Sequence, residues 1–344
     1  MPRKKALVDL ASVHSAWSIP AACLEAIGKA FGPNWDVCAI DSSDLRTTTR
    51  SASSSGSEHV YRGVEVYFGW SVSRRVVADS KGTLKWAHTG AAGVGGSMTE
   101  QLRGSGAVVT NSRGIHAEPM SDWVIAAIGF CARGFHTAVA AQREHAWARK
   151  SLASASGGLT EFSSLRVGVV GLGGIGRAVA RKCCALGMAV RAVRRRISAS
   201  DCTEVVWVGG PDRLLELAAE SDVLVLTVPH TAATANLIDD TIMQALPHGA
   251  FLLNVSRGGI LDEQALLKHL RSGHIRACVL DVFASEPLDE GHPFWDERSV
   301  LITPHVSAVT DRFWEREIDL IVGNIERYLE GDCLRNVVNL EVGY

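Results

Sequence analysis

The sequence predicts an α/β protein built from two doubly wound, largely parallel sheets. Two observations carry this. Short apolar runs alternate with helix-like segments along nearly the whole chain, the pattern of parallel strands joined by crossover helices. Past a polar, small-residue stretch around residues 151–158, the alternation starts afresh with "RVGVVG" and runs through five further apolar segments. A chain of 344 residues is long enough to give each unit its own core.

In the first third, "KALVDL", "WDVCAI", "VEVYFGW", "LKWAHTG" and "AVVTN" read as strands, with "IPAACLEAIGKAF" as an intervening helix. The low-complexity run Thr47 to Ser57 reads as an exposed loop. A helix follows from about Pro119, a residue suited to a first helical turn. It is apolar on nearly every face, so more than one neighbour must bury it. "AVRAV", "VLVLTV", "AFLLNV", "ACVLDVF" and "VLIT" then read as strands of the second unit. The tail "FWEREIDLIVGNIERYLEG" has helical periodicity and is too short to stand alone, so it is expected to pack back on the first unit.

Bulk properties narrow the partners. A net charge of -2 argues against a general polyanion binder, so no nucleic acid is expected. No apolar run reaches the roughly 20 residues of a membrane span, and Asp9 interrupts the apolar start, so neither a membrane nor a signal peptide is expected. Eight scattered cysteines with no CxxC pair read as buried, reduced thiols, and the expected compartment is the cytoplasm.

The segment "RVGVVGLGGIGRAVARKCCALGMAV" joins a strand, a G-x-G-x-x-G turn at Gly171, Gly173 and Gly176, a helix and a second strand. Gly171 permits the tight turn, Gly173 lets backbone approach a pyrophosphate, and Gly176 lets helix and strand pack closely. The helix N-terminal amides of Gly174 and Ile175 then face the phosphates. The second strand ends in "VRRR", and its ribose-reading position falls on Arg194, about 20 residues after the turn, where no carboxylate stands. A guanidinium offers donors to phosphate and no acceptor for a ribose hydroxyl. Arg194 and Arg195, with Arg196 next in line, therefore favour NADP(H), with NAD(H) as second choice; a solvated charge run is the alternative.

Three motifs lie at or after the carboxyl ends of expected strands, where open α/β sheets bind ligands: "LLNVSRGGILDEQAL" with Arg257, "VLDVFASEPL" with Glu286, and "VLITPHVSAVT" with His305. An arginine can grip a carboxylate with two parallel hydrogen bonds. A histidine passes a proton near neutral pH, and a neighbouring carboxylate fixes its tautomer. Arg257, Glu286 and His305 together suit the reduction of a 2-oxo acid. The scattered histidines show no metal-ligand spacing, and this chemistry needs no metal.

With "TNSRGIHAEPMSDWV", "GVVGLGGIGRAVA", "TVPHTAATANLI", "NVSRGGILDEQAL", "LDVFASEPL" and "TPHVSA", the chain resembles the D-isomer-specific 2-hydroxyacid dehydrogenase family over nearly its whole length. It is most similar to the glyoxylate/hydroxypyruvate reductase-like members, and to phosphoglycerate dehydrogenase-like members without a regulatory domain. The resemblance implies an NAD(P)-dependent oxidoreductase with Arg257, Glu286 and His305 as the catalytic trio. It implies that Asp281 meets the nicotinamide carboxamide and that Val228 and Pro229 lie along the adenosine. The loop "HTGAAGVGG" would bind the substrate carboxylate through backbone around Ala92 and Gly93, with Val94 alongside.

The implied architecture is a flavodoxin-like substrate domain at 1–114 and 308–344 and a Rossmann cofactor domain at 115–307. Hinges fall near Arg113 and Ser307, with the active site in the cleft between the domains. A homodimer is implied, formed by the helix from Pro119, with an intramolecular core helix as the alternative; Trp147 and Trp314 lie in segments that approach the cleft, with core or interface packing as the alternative. Departures from the family pattern are Gly95 for an acidic residue, Ala308 for glycine and Trp123 for histidine. The same scaffold also serves dinucleotide-sensing corepressors and dehydrogenases of unusual donors such as phosphite, the two alternative functions.

Overall fold

The computed structural model describes residues 3–12, 14–40, 60–80, 82–94, 97, 99–153, 159–197 and 205–341. The run 47–57, Gly95 and Cys202 lie outside them. The chain divides into two compact units, residues 1–116 with 309–344, and residues 117–308.

In the first unit the described residues form five strands: β1 Lys4–Asp9, β2 Trp35–Ala39, β3 Val64–Gly69, β4 Trp86–Thr89 and β5 Val108–Asn111. All pairings are parallel, in the order β2-β1-β3-β4-β5. Alternate side chains leave a strand on opposite faces, and the two faces carry separate cores. Leu7, Tyr67, Ala87 and Val109 lie in one, and Ala6, Val8, Val66, Phe68 and Trp86 in the other. Helix α1, Ala21–Phe31, covers the second face with Ile27 and Phe31. Two short helices, α2 Arg74–Asp79 and α3 Glu100–Gly104, start from side-chain caps on Ser73 and Thr99.

The second unit holds α4 Ala117–Ala132, α5 Phe135–Arg143 and α6 Arg149–Leu152, then β6 Arg166–Val170, α7 Gly174–Ala185 and β7 Ala189–Val193. It continues through β8 Trp207–Gly209, α8 Leu214–Ala219, β9 Val223–Leu226, α9 Asp240–Ala245 and β10 Ala250–Asn254. It closes with α10 Glu263–Arg271, β11 Ile275–Leu280 and β12 Val300–Ile302. Among the described residues the sheet has seven parallel strands in the order β12-β11-β10-β9-β6-β7-β8. Val167, Val225 and Leu253 face one core with α4 and α7, whereas Val170, Leu224 and Leu252 face the other. Burying each such side chain contributes about 1.5–3 kcal/mol.

The tail helix α11, Phe313–Glu330, belongs to the first unit, with Ile321 and Ile325 in the core beside α1. The helix expected from Pro119 begins two residues earlier, and its chain breaks at Gly134 before α5. No single described helix is long and apolar enough to cross a membrane.

The expectation that all the cysteines are buried is corrected. Cys131, Cys183 and Cys278 are buried, and burial pushes the first two thiols up to about 12. Cys184 and Cys333 are exposed. Neighbouring residues of a helix point about 100° apart, so Cys183 inside places Cys184 outside.

Candidate active site

The glycine turn sits at the carboxyl end of β6, between β9 and β7, where the strand order reverses direction. Gly171 has φ +101°, a conformation that a side chain resists, and its N–H donates to Val193 O at 2.9 Å. The Gly171 carbonyl accepts the Thr227 hydroxyl at 2.5 Å. A Cβ on Gly176 would stand 2.0 Å from that carbonyl oxygen, so only glycine lets α7 start this close to β6. A Cβ on Gly173 would meet nothing within 4 Å. The first amides of α7, including Gly174 and Ile175, thus begin beside open space, with no intrahelical acceptor of their own. These features fit a dinucleotide pyrophosphate.

Arg194 follows β7 directly and is half-buried; its N–H donates to Gly209 O at 3.0 Å. Arg195 and Arg196 are exposed. Val228 is half-buried, with its methyl 2.6 Å from where a Gly171 side chain would begin, and Pro229 is exposed.

Arg257, Glu286 and His305 follow the carboxyl ends of three adjacent strands, β10, β11 and β12. Asn254, fully buried, shapes the first turn: its Oδ1 accepts Ser256 N and Oγ, and its Nδ2 donates to Arg257 O. Arg257 is exposed, with Nη1 donating to Ser256 O at 2.6 Å. Gly258 lies against the next turn, since a Cβ there would stand 1.8 Å from Phe283 C. Ala284 N donates to Glu263 Oε1 at 2.9 Å, a second tie between the same two segments.

Glu286 accepts Phe283 N on Oε1 and faces His305 Nδ1 with Oε2 at 2.7 Å. A carboxylate only accepts, so Nδ1 carries the hydrogen and Nε2 remains for a reacting oxygen. Both side chains are part-exposed, at 46% for His305 and 35% for Glu286. His305 has φ +54°, held by its N–H donating to Asp281 O at 2.9 Å.

Asp281 anchors the His305 turn. It has no exposed surface, and its carboxylate accepts Thr303 Oγ1, Val306 N and Ser307 N at 2.5, 2.8 and 2.9 Å. It therefore holds the turn carrying His305.

In the first unit, the loop after β4 exposes Ala92 and Gly93. Ala91 O accepts Ser112 N at 3.3 Å, and Ala92 O accepts Asn111 Nδ2 at 2.7 Å. In a trans peptide C=O and N–H point in opposite directions. With both carbonyls drawn toward β5, the amides of Ala92 and Gly93 are turned the other way. The Val94 side chain is in the core, 2% exposed. An apolar β-branched side chain gains more by that burial than at an exposed loop. Trp147 is 91% exposed. Trp314 donates from Nε1 to Ala16 O and meets Trp70 edge-on at 6.0 Å.

Asn111, Ser112 and the anchoring role of Asp281 are not picked out in the sequence. Each partner set spans 19 or more residues, and the one local hint is a polar residue at a strand end. Among the described residues, no group of three or more His, Cys, Asp or Glu could hold a metal ion.

Residues 125–307 match the family model described as "D-isomer specific 2-hydroxyacid dehydrogenase, NAD binding domain". The chain belongs to the D-isomer specific 2-hydroxyacid dehydrogenase family. Its cofactor class is accordingly a nicotinamide dinucleotide.

Among family members, D-3-phosphoglycerate dehydrogenase of Mycobacterium bovis is 32% identical over 240 residues, 69% of this chain and 44% of that protein. The match thus spans less than half of that relative's length. A D-isomer specific 2-hydroxyacid dehydrogenase of Xanthobacter autotrophicus Py2, solved with NADPH and MES, is 30% identical with a TM-score of 0.80, covering 98% of this chain and 99% of that one. An NADPH-dependent glyoxylate/hydroxypyruvate reductase of Sinorhizobium meliloti, solved with NADP and sulfate, is 25% identical with a TM-score of 0.77, covering 99% and 100%.

Proposed function

We propose that this chain is an NADP(H)-preferring reductase of small 2-oxo acids, a D-2-hydroxyacid dehydrogenase of the glyoxylate/hydroxypyruvate reductase kind. The observation that carries the reading is the 2.7 Å contact between His305 Nδ1 and Glu286, one strand from the Arg257 turn. When bound, the dinucleotide supplies hydride to carbon 2 of the substrate, or takes it back in the reverse direction. Arg257 pairs with the substrate carboxylate and polarises the adjacent carbonyl. His305 Nε2 gives its proton to the carbonyl oxygen as the C–O π bond breaks, and the same atom removes that proton in the oxidative direction. Glu286 keeps the ring oriented, and Asp281 holds the backbone beneath it.

On this reading the amides of Ala92 and Gly93 bind a substrate carboxylate. Gly171, Gly173, Gly174, Ile175 and Gly176 hold the pyrophosphate, with Val228 and Pro229 along the adenosine. Arg194 and Arg195 take the 2′-phosphate: they occupy the ribose-reading position without an acceptor, and the two solved relatives above carry NADPH or NADP. A homodimer is part of the proposal, supported by Phe135, Val139 and Trp147, apolar side chains exposed on α5 and just beyond it. Initial rates with glyoxylate, hydroxypyruvate and a bulkier 2-oxo acid, each with NADPH and with NADH, test the function. Turnover of a 2-oxo acid with the higher kcat/KM for NADPH is expected. Absence of turnover with all of them sinks the proposal.

A further inference from the structure

Beneath the loop that carries Ala92 and Gly93 lies a polar network with no solvent contact. His88, Thr110, Ser112 and Glu317 are each 0% exposed. Glu317, on the tail helix α11, accepts on Oε1 from His88 Nε2 at 3.0 Å and from Ser112 Oγ at 2.9 Å. His88 Nδ1 lies 2.9 Å from Thr110 Oγ1, which also accepts Trp86 Nε1 at 2.9 Å. Ser112 Oγ is also 3.1 Å from Thr89 O, and Ser112 N donates to Ala91 O. Glu317 Oε2 is buried with no hydrogen-bond partner among the described residues.

A buried carboxylate with one oxygen unanswered is expensive, and apolar residues of similar volume would pack this position at no such cost. What the carboxylate provides is direction. It fixes His88, near the end of β4, and Ser112, whose side chain lies against the last carbonyl of β4 and whose N–H donates to a loop carbonyl, that of Ala91. Through Ser112, a helix 205 positions along the chain reaches the residue whose N–H holds the Ala91 carbonyl, and with it the peptide plane that carries the Ala92 amide.

We infer that Glu317 is a positioning residue for substrate-carboxylate binding, acting through Ser112 to aim the amide of Ala92. The inference rests on the proposed role of that loop. Its test compares the full-length chain with Ser112→Ala, Glu317→Ala and Glu317→Gln, the last keeping an oxygen acceptor for both donors. Three quantities are read: KM and kcat for the best 2-oxo acid, NADPH affinity, and amide hydrogen exchange across residues 89–93.

Losing one well-aimed hydrogen bond to a charged group corresponds to roughly tenfold or more in affinity. Ser112→Ala and Glu317→Ala should therefore raise KM by roughly tenfold, with a smaller change in kcat, unaltered NADPH affinity and faster exchange in the loop. Glu317→Gln should stay within about threefold of wild type, because its acceptor is retained. The inference is overturned if Ser112→Ala leaves KM and loop exchange unchanged. It is equally overturned if Glu317→Gln and Glu317→Ala depress KM performance, kcat and NADPH affinity alike, the mark of a packing defect. A wild-type chain that turns over no 2-oxo acid defeats the proposed function alone, since loop exchange still decides the coupling. Should Glu317→Ala fail to fold, Ser112→Ala carries the decision.

Discussion

At the scale of single residues, chemistry was legible wherever the needed partners lie close in sequence. The G-x-G-x-x-G turn and the arginines after β7 are local, and spacing alone places them. The anchoring role of Asp281 is not legible in the sequence because its partners, Thr303, Val306 and Ser307, stand 22 to 26 residues further on. Glu317 was invisible as part of a site for the same reason, at much greater separation. Replacing Arg194 with Asp should lower kcat/KM with NADPH roughly 10–100-fold, the worth of one charge-assisted phosphate contact, and NADH far less; equal loss with both cofactors returns "RRR" to a solvated charge run. Asp222 concerns stability. Burial alone would raise its carboxyl, but the hydrogen bonds and charge of Arg166 outweigh that and hold it below the ordinary value. Its stabilisation is therefore present above the ordinary carboxylate range and lost as pH falls through the lowered value. Asp222→Asn should flatten the acid side of a melting-temperature profile while lowering the midpoint near neutrality. A profile parallel to wild type would contradict the assignment.

At the scale of elements, continuous apolar runs such as β9, "VLVL", announce buried parallel strands, and the principal strands were readable from them. The three-residue strand β8, "WVG", was not, because its pairing with β7 rather than its own pattern makes it a strand. The break at Gly134 was also hidden, since apolar residues continue on both sides of it. The decisive contact between elements is the one at Gly258, whose missing side chain lets the Arg257 turn touch the turn leading to Glu286. Gly258→Ala drives a methyl into the Phe283 backbone, which cannot move as a flexible side chain would. Overpacking of this kind costs about 1–3 kcal/mol or more. A lowered melting temperature together with a lower kcat is expected. Wild-type values of both would mean that the two turns adjust independently.

At the scale of the whole molecule, two parallel sheets were foreseeable from the repeated alternation, and so was the return of the tail to the first unit. That return has a consequence. Helix α11 supplies Ile321 and Ile325 to one core of the first unit, and Val337 bridges Thr110 on β5. A chain ended after Ala308 should retain NADPH binding by the second unit while amides of β1, β4 and β5 lose protection from exchange. Full protection in those strands would show that the tail is dispensable. The central claim, reduction of a 2-oxo acid with His305 as proton donor, is tested most directly by the single-turnover rate of His305→Asn against wild type, with NADPH affinity measured alongside. Unchanged affinity and a rate lower by about 10²–10⁴-fold are expected. A loss of less than about tenfold, below the usual worth of acid–base catalysis, would contradict it.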